Sequence, residues 1–218
     1  MPPTRKSICV YAIVRASVSQ PAWRARDGQR LRIVRAGTVA AVVYDASRCP
    51  AATAANLRRY HRTMAALAVR FSALLPARFG TCVSEEELRF ILSSRAAALA
   101  RALARVRNRV QMTVRVVGTA NGEGEMEPGA SPPRSGADYL RARARETALP
   151  EFEPVRAAVK RWVRAERAER RRSVATVYHL IPRTSAVAYR VAAQQAGAAA
   201  GLQLTVTGPW PPYAFASD

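Results

Sequence analysis

Apolar residues along this chain recur at two periods, and the switch between them sets the expected elements. Ile8, Val10, Ala12 and Val14 alternate with Cys9, Tyr11 and Ile13, so both faces are largely apolar. That pattern predicts a strand covered on both sides. After a polar stretch, Leu31, Ile33 and Val34, then Gly37, then Val39 to Tyr44 predict a hairpin turning at the glycine. Beyond Pro50, Leu57, Tyr60, Met64, Leu67, Phe71 and Leu74 recur three and four apart, which is one face of a helix. Leu75-Pro76 closes it. Ser84-Glu85-Glu86-Glu87 is a capping box, and its acids suit the positive end of the next helix. Leu88, Ile91, Leu92, Leu99, Leu103 and Val106 carry that helix's apolar face.

The second half repeats the mixture. Val110, Met112, Val114 and Val116 alternate with Gln111, Thr113 and Arg115, a strand with one face buried. Residues 119–135 hold the glycines and prolines of a loop, together with Glu123, Glu125 and Glu127. A helical pattern resumes near Asp138, is interrupted at Pro150 and Pro154, and runs from Val155 through Trp162 to Arg172. Val174 to Ile181 predicts a strand, Ser185 to Ala200 a helix stopped by Gly201, and Leu202, Leu204 and Val206 a last strand. The order β-ββ-α-α-β-loop-α-β-α-β reads as α+β, with two small domains over 1–107 and 108–218. Pro209, Pro211 and Pro212 cannot donate to a ladder, so the sheet is expected to end there.

At 218 residues with 49% hydrophobic and 23% charged positions, the chain has ordinary globular composition. No apolar run reaches the ~18–20 residues a membrane-spanning helix needs, and no small-residue cleavage site follows the basic start. Three cysteines, Cys9, Cys49 and Cys82, are widely spaced and form no CxxC pair. They suggest neither a disulfide framework nor a zinc site, and read as thiols of a cytoplasmic protein. His61 borders the first helix face and reads as a packed, hydrogen-bonded histidine, while His179 alternates with Tyr178 and Leu180 in a strand. The chain holds no G-x-S-x-G elbow and no phosphate-cradling loop. A dyad of Cys82 with either histidine, His61 or His179, would lack any flanking signature. Neither catalysis nor a cofactor or metal is indicated.

The net charge of +20 is the strongest compositional signal. All but two of the 35 basic residues are arginine, the exceptions being Lys6 and Lys160. Arg95, Arg101, Arg105, Arg107, Arg109 and Arg115 have no acid between them, and Arg164, Arg167, Arg170, Arg171 and Arg172 form a second cluster diluted by Glu166 and Glu169. The alternative readings are a basic nucleic-acid-binding module and a solvated arginine-rich exterior, and no nucleic-acid motif accompanies the charge.

Specificity enters with three segments: Val10-Tyr11-Ala12-Ile13-Val14; Leu75-Pro76-Ala77-Arg78-Phe79-Gly80-Thr81, preceded by His61; and Thr207-Gly208-Pro209-Trp210-Pro211-Pro212-Tyr213-Ala214-Phe215. In this order and spacing the chain resembles the gas vesicle protein L/F (GvpL/GvpF) family over nearly its whole length. Ala12 departs from the glycine common in the family after the tyrosine. The resemblance implies two α+β domains, the second a modified ferredoxin-like fold. It also implies a non-enzymatic accessory or minor structural protein, cytoplasmic and associated with the gas vesicle. The implied partners are the small hydrophobic shell protein and other accessory proteins. The motif residues Tyr11, His61, Pro76, Arg78, Phe79, Gly80, Thr81, Gly208, Pro209, Trp210, Pro211, Pro212, Tyr213 and Phe215 are expected either to clasp the fold internally or to dock the partner.

Overall fold

The computed structural model describes residues 7–16, 23–25, 28–117, 150–171 and 174–216. The expected loop at 119–135 and the helical pattern from Asp138 lie outside them. By contacts the chain divides into two units, Met1–Val110 with Trp210–Asp218, and Gln111–Pro209. The terminal motif from Trp210 onward therefore groups with the N-terminal unit, whereas the sequence reading placed it within 108–218.

In the first unit, strand β1 (Ser7–Arg15) takes the central place its two apolar faces require. Strand β2 is Trp23–Arg24, β3 is Arg30–Ala36 and β4 is Val39–Ala46. β3 and β4 form the expected hairpin around Gly37. β5 (Leu74–Pro76) and β6 (Cys82–Val83) complete a sheet ordered β2-β3-β4-β1-β5, with β6 also pairing β1. Val10 faces Val43 and Ala12 faces Val42, so the register of β1 against β4 slips at Tyr11. Such a bulge kinks the strand and re-aims the extra residue.

Helix α1 (Ala54–Arg70) is capped by Thr53, whose hydroxyl accepts the Asn56 amide at 3.2 Å. It ends earlier than expected. Phe71 is already extended, and Leu74 and Leu75 form β5 against β1, because pairing there satisfies the backbone that a longer helix would occupy. Leu57, expected on the buried face, is 44% exposed. The Ser84 cap holds, with its hydroxyl accepting the Glu87 amide at 3.1 Å. The helix it opens breaks at Arg95 into α2 (Glu85–Ser94) and α3 (Ala96–Val106). Tyr11, Ala12, Val14, Leu31, Val42, Met64, Leu67 and Phe71 share one core cluster.

One expectation is overturned here. Cys9 and Cys82 form a disulfide. They lie directly opposite one another where β1 pairs β6, with Cα atoms 4.1 Å apart. A separation of 73 residues carries no trace of that register, which is why spacing alone missed it.

In the second unit, β7 (Arg109–Val117), β8 (Ala165–Arg171), β9 (Val174–Pro182) and β10 (Gln203–Trp210) make a sheet ordered β10-β7-β9-β8. Counted within the unit, its strands lie fourth, first, third, second. Helices α4 (Glu153–Val159) and α5 (Ala186–Ala199) bring Val155, Val159, Tyr189 and Ala193 into the core with Phe152, Val177 and Ile181. Three details differ from expectation. Gln111 and Thr113 on β7 are buried, and the Gln111 side-chain amide donates to the Thr113 hydroxyl at 3.3 Å. Ala165–Arg171 is a strand, not a helix: the sequence Ala-Glu-Arg-Ala-Glu-Arg-Arg shows no apolar period, and its conformation comes from pairing with β9. Its charges are those of a guarded edge strand. Finally, β10 runs on through Pro209 to Trp210, which an edge strand tolerates.

Candidate functional site

Most of the motif residues meet in the first unit. The bulge at Tyr11 places its ring 5.1 Å from Tyr44 and 5.4 Å from Tyr60, while its hydroxyl donates to Gln29 at 2.8 Å. Tyr60 meets Phe79 edge to face at 5.5 Å. The Arg78-Phe79-Gly80-Thr81 turn is tied to β1 through its backbone. The Ala77 amide donates to the Tyr11 carbonyl and the Val10 amide to the Thr81 carbonyl, both at 2.9 Å. The Thr81 hydroxyl closes the turn on the Arg78 carbonyl at 2.7 Å. The Tyr60 hydroxyl donates to the Ala77 carbonyl, and burial pushes its ionisation far above the ordinary phenol range. Tyr60→Phe is expected to cost about 1 kcal/mol, the usual net worth of such a bond. Urea denaturation would measure it.

The chain's end joins this cluster. Trp210 packs edge to face on His61 at 5.1 Å, Tyr213 packs against the core cluster, and Phe215 is buried in a 3-10 turn (Tyr213–Phe215). Burial pushes the Tyr213 hydroxyl up to about 12. Gly208 and Pro209 belong to the other unit. There the Gly208 carbonyl accepts from the Arg190 guanidinium.

Beside the cluster, and unforeseen in the sequence, lies a groove of about 500 Å³ lined by Arg24, Leu31, Arg59, Arg62, Leu67 and Arg70, with Val69 on its lip 81% exposed. Its floor is apolar and its rim is arginine. The signal was present in the arginines at 58, 59, 62 and 70 of α1, but only β2 and β3 opposite turn that helix face into a groove.

The second unit holds a polar chain that the sequence did not reveal. His179 is fully buried on β9. One ring nitrogen lies 2.7 Å from Glu166 on the facing β8, and the other 2.5 Å from the Tyr189 hydroxyl on α5. Arg156 on α4 donates to both Glu166 oxygens at 3.0–3.2 Å and to Glu153 at 2.7 Å. The bond from His179, aided by Arg156, holds the Glu166 carboxyl down to about 2 despite burial. Burial and the Glu166 charge raise the Tyr189 phenol well above its ordinary value. The network pairs the polar side chains that β8, β9, α4 and α5 bring together, which satisfies groups that burial would otherwise leave costly. Glu166 is depressed in the folded state, so its contribution is full above its unfolded value near 4.5 and is lost as pH falls from there towards 2. Solvent screening of the partly exposed carboxylate leaves on the order of 2 kcal/mol. Glu166→Gln should therefore flatten the acid limb of a pH–stability profile.

The profile of the family described as gas vesicle synthesis protein GvpL/GvpF matches residues 7–217. The chain belongs to that family. Its fold agrees with the crystal structure of the gas vesicle protein GvpF from Anabaena sp. PCC7120, at a TM-score of 0.73 and 15% identity, covering 98% of this chain and 99% of that one. The crystal structure of GvpF from Microcystis aeruginosa matches at a TM-score of 0.74 and 12% identity, covering 97% and 99%. At such identities the likeness is one of α+β fold, and the family profile carries the assignment. No curated protein sequence matches the chain. Among the described residues no helix is long and apolar enough to cross a membrane.

Proposed function

We propose that this gas vesicle protein acts without catalysis, supporting shell assembly by binding the small hydrophobic shell protein and other accessory proteins. The observation that carries the reading is the family match over residues 7–217. The geometry supports a division of labour. Tyr11, Tyr60, Phe79, Tyr213 and Phe215 spend their apolar surface inside the first unit, which favours the clasp over the docking role for the motif. The arginine-rimmed groove at α1 combines an apolar floor with a positively charged rim. Apolar contact suits a hydrophobic shell protein, and the arginines attract acidic accessory proteins and steer the encounter. In the cell this would place the protein in the cytoplasm at the growing vesicle, shielding apolar shell subunits before they join the wall.

The test is capture of shell and accessory proteins by the tagged chain, washed at low and high salt. Capture that survives high salt and falls at least about tenfold in Val69→Asp, a substitution at an exposed site that spares the fold, is the expected result. Capture of nucleic acid alone, weakening steeply with salt, would replace this reading with the nucleic-acid one.

A further inference from the structure

The Cys9–Cys82 disulfide has a third sulfur beside it. Cys49, in the segment between β4 and α1, is exposed and free, and its Sγ and those of Cys9 and Cys82 all lie within 4.8 Å of one another. Three sulfurs from distant parts of the chain, 9, 49 and 82, converge at one edge of the first unit. One is buried on β1, one is half-buried on β6, and one is open to solvent. A disulfide uses only two of them.

We propose that the reduced protein binds one soft, thiophilic d10 ion, Cu(I) or Zn(II), through the three thiolates of Cys9, Cys49 and Cys82, and that the Cys9–Cys82 disulfide is the oxidised, metal-free form of the same site. The inference rests on the sulfur cluster and is independent of the vesicle reading. The chemistry balances in two steps. A cellular dithiol gives two electrons and two protons to the disulfide, yielding the Cys9 and Cys82 thiols and a new disulfide in the reductant. The ion then displaces one proton from each of the three thiols and forms three metal–sulfur bonds. Zn–S bonds of about 2.3 Å place sulfurs roughly 3.8 Å apart in a tetrahedral site, below the 4.8 Å that bounds the three sulfurs here, and reduction frees Cys9 and Cys82 to open to that spacing. The group contains no fourth His, Cys, Asp or Glu among the described residues. Three ligands therefore suit trigonal Cu(I), or Zn(II) with water in the fourth position. Thiolate donors favour these ions over hard Mg²⁺ or Ca²⁺. The neighbouring charges suit the site: Arg48 adjoins Cys49 in sequence, and Arg59 lines a recess with Arg48, so positive charge is at hand for a site carrying three thiolates.

The experiment titrates the full chain, reduced with a phosphine and freed of it, with Cu(I) or Zn(II) against a chromophoric chelator, and counts thiols open to alkylation before and after. The expected result is one equivalent bound, a thiolate-to-metal charge-transfer band in the ultraviolet, and the exposed Cys49 thiol closing to alkylation. Cys49→Ser, a change at an exposed position, should weaken binding by more than about tenfold, since even outer partners of a metal matter on that scale. Oxidised protein should bind no stoichiometric ion. Three outcomes overturn the proposal: no stoichiometric ion on the reduced wild type, unchanged affinity in Cys49→Ser with circular dichroism intact, or equal binding by the oxidised form. Hard Mg²⁺ bound as tightly would also overturn it.

Discussion

Replacing Gly208 by alanine is expected to destabilise the second unit by about 2–5 kcal/mol, combining about 1–2 for a left-handed L-residue with about 1–3 for the overlap it creates. Gly208 sits at φ +117, a conformation that L side chains rarely adopt. A Cβ there would stand 2.8 Å from the Gln111 carbonyl oxygen and 3.0 Å from the Met112 sulfur. The carbonyl is backbone of β7, beside which β10 lies in the sheet, so relief would have to come from separating the strands rather than from turning a side chain. Gly201 supplies the control. It too has positive φ, at +67, but nothing lies within 4 Å of an added Cβ. Gly201→Ala should cost only about 1 kcal/mol, the conformational share. Denaturant titrations of the two variants followed by circular dichroism would separate strain from collision. Equal losses at both sites would mean that the crowding against β7 contributes nothing.

That contrast also marks how far the sequence could be read. β1, the β3–β4 hairpin, the Ser84 cap and α5 with its stop were legible because each is written locally, in a period, a cap or a turn glycine. β8 was not, because an edge strand of alternating charges owes its conformation to β9. Nor were the early end of α1, where β5 pairs β1 instead, or the break at Arg95. The Cys9–Cys82 bond and the Glu166–His179–Tyr189 chain share one cause: both join side chains brought opposite by strand register or helix packing, which no spacing encodes. The motif residues were legible as a set, through resemblance, and the structure adds which of them touch. Tyr11 stands at the bulge and Phe79 against Tyr60, while Gly208 serves the other unit. The groove at α1 required knowing what lies across from its arginines.

Phe215→Ala is expected to cost about 3–5 kcal/mol, the range for emptying a buried phenylalanine site. Phe215 is 2% exposed, in the turn that brings the chain's end against β5. The neighbouring aromatics should respond differently, and the ranking is the test. Tyr213 buries its hydroxyl without a hydrogen-bond partner among the described residues, so Tyr213→Phe removes an unsatisfied group while keeping the packing. It should be neutral or gain up to about 1 kcal/mol. Trp210 is only half-buried on His61, so Trp210→Ala should cost about 1–2 kcal/mol. A clasp predicts this order in urea midpoints, with shell-protein capture falling only as far as the folded fraction falls. A docking tail predicts the opposite signature: Trp210→Ala, the most accessible change, would abolish capture while leaving the midpoint where it was. The two roles assign the same residues but separate in which quantity moves, so measuring midpoint and capture on the same three variants decides between them.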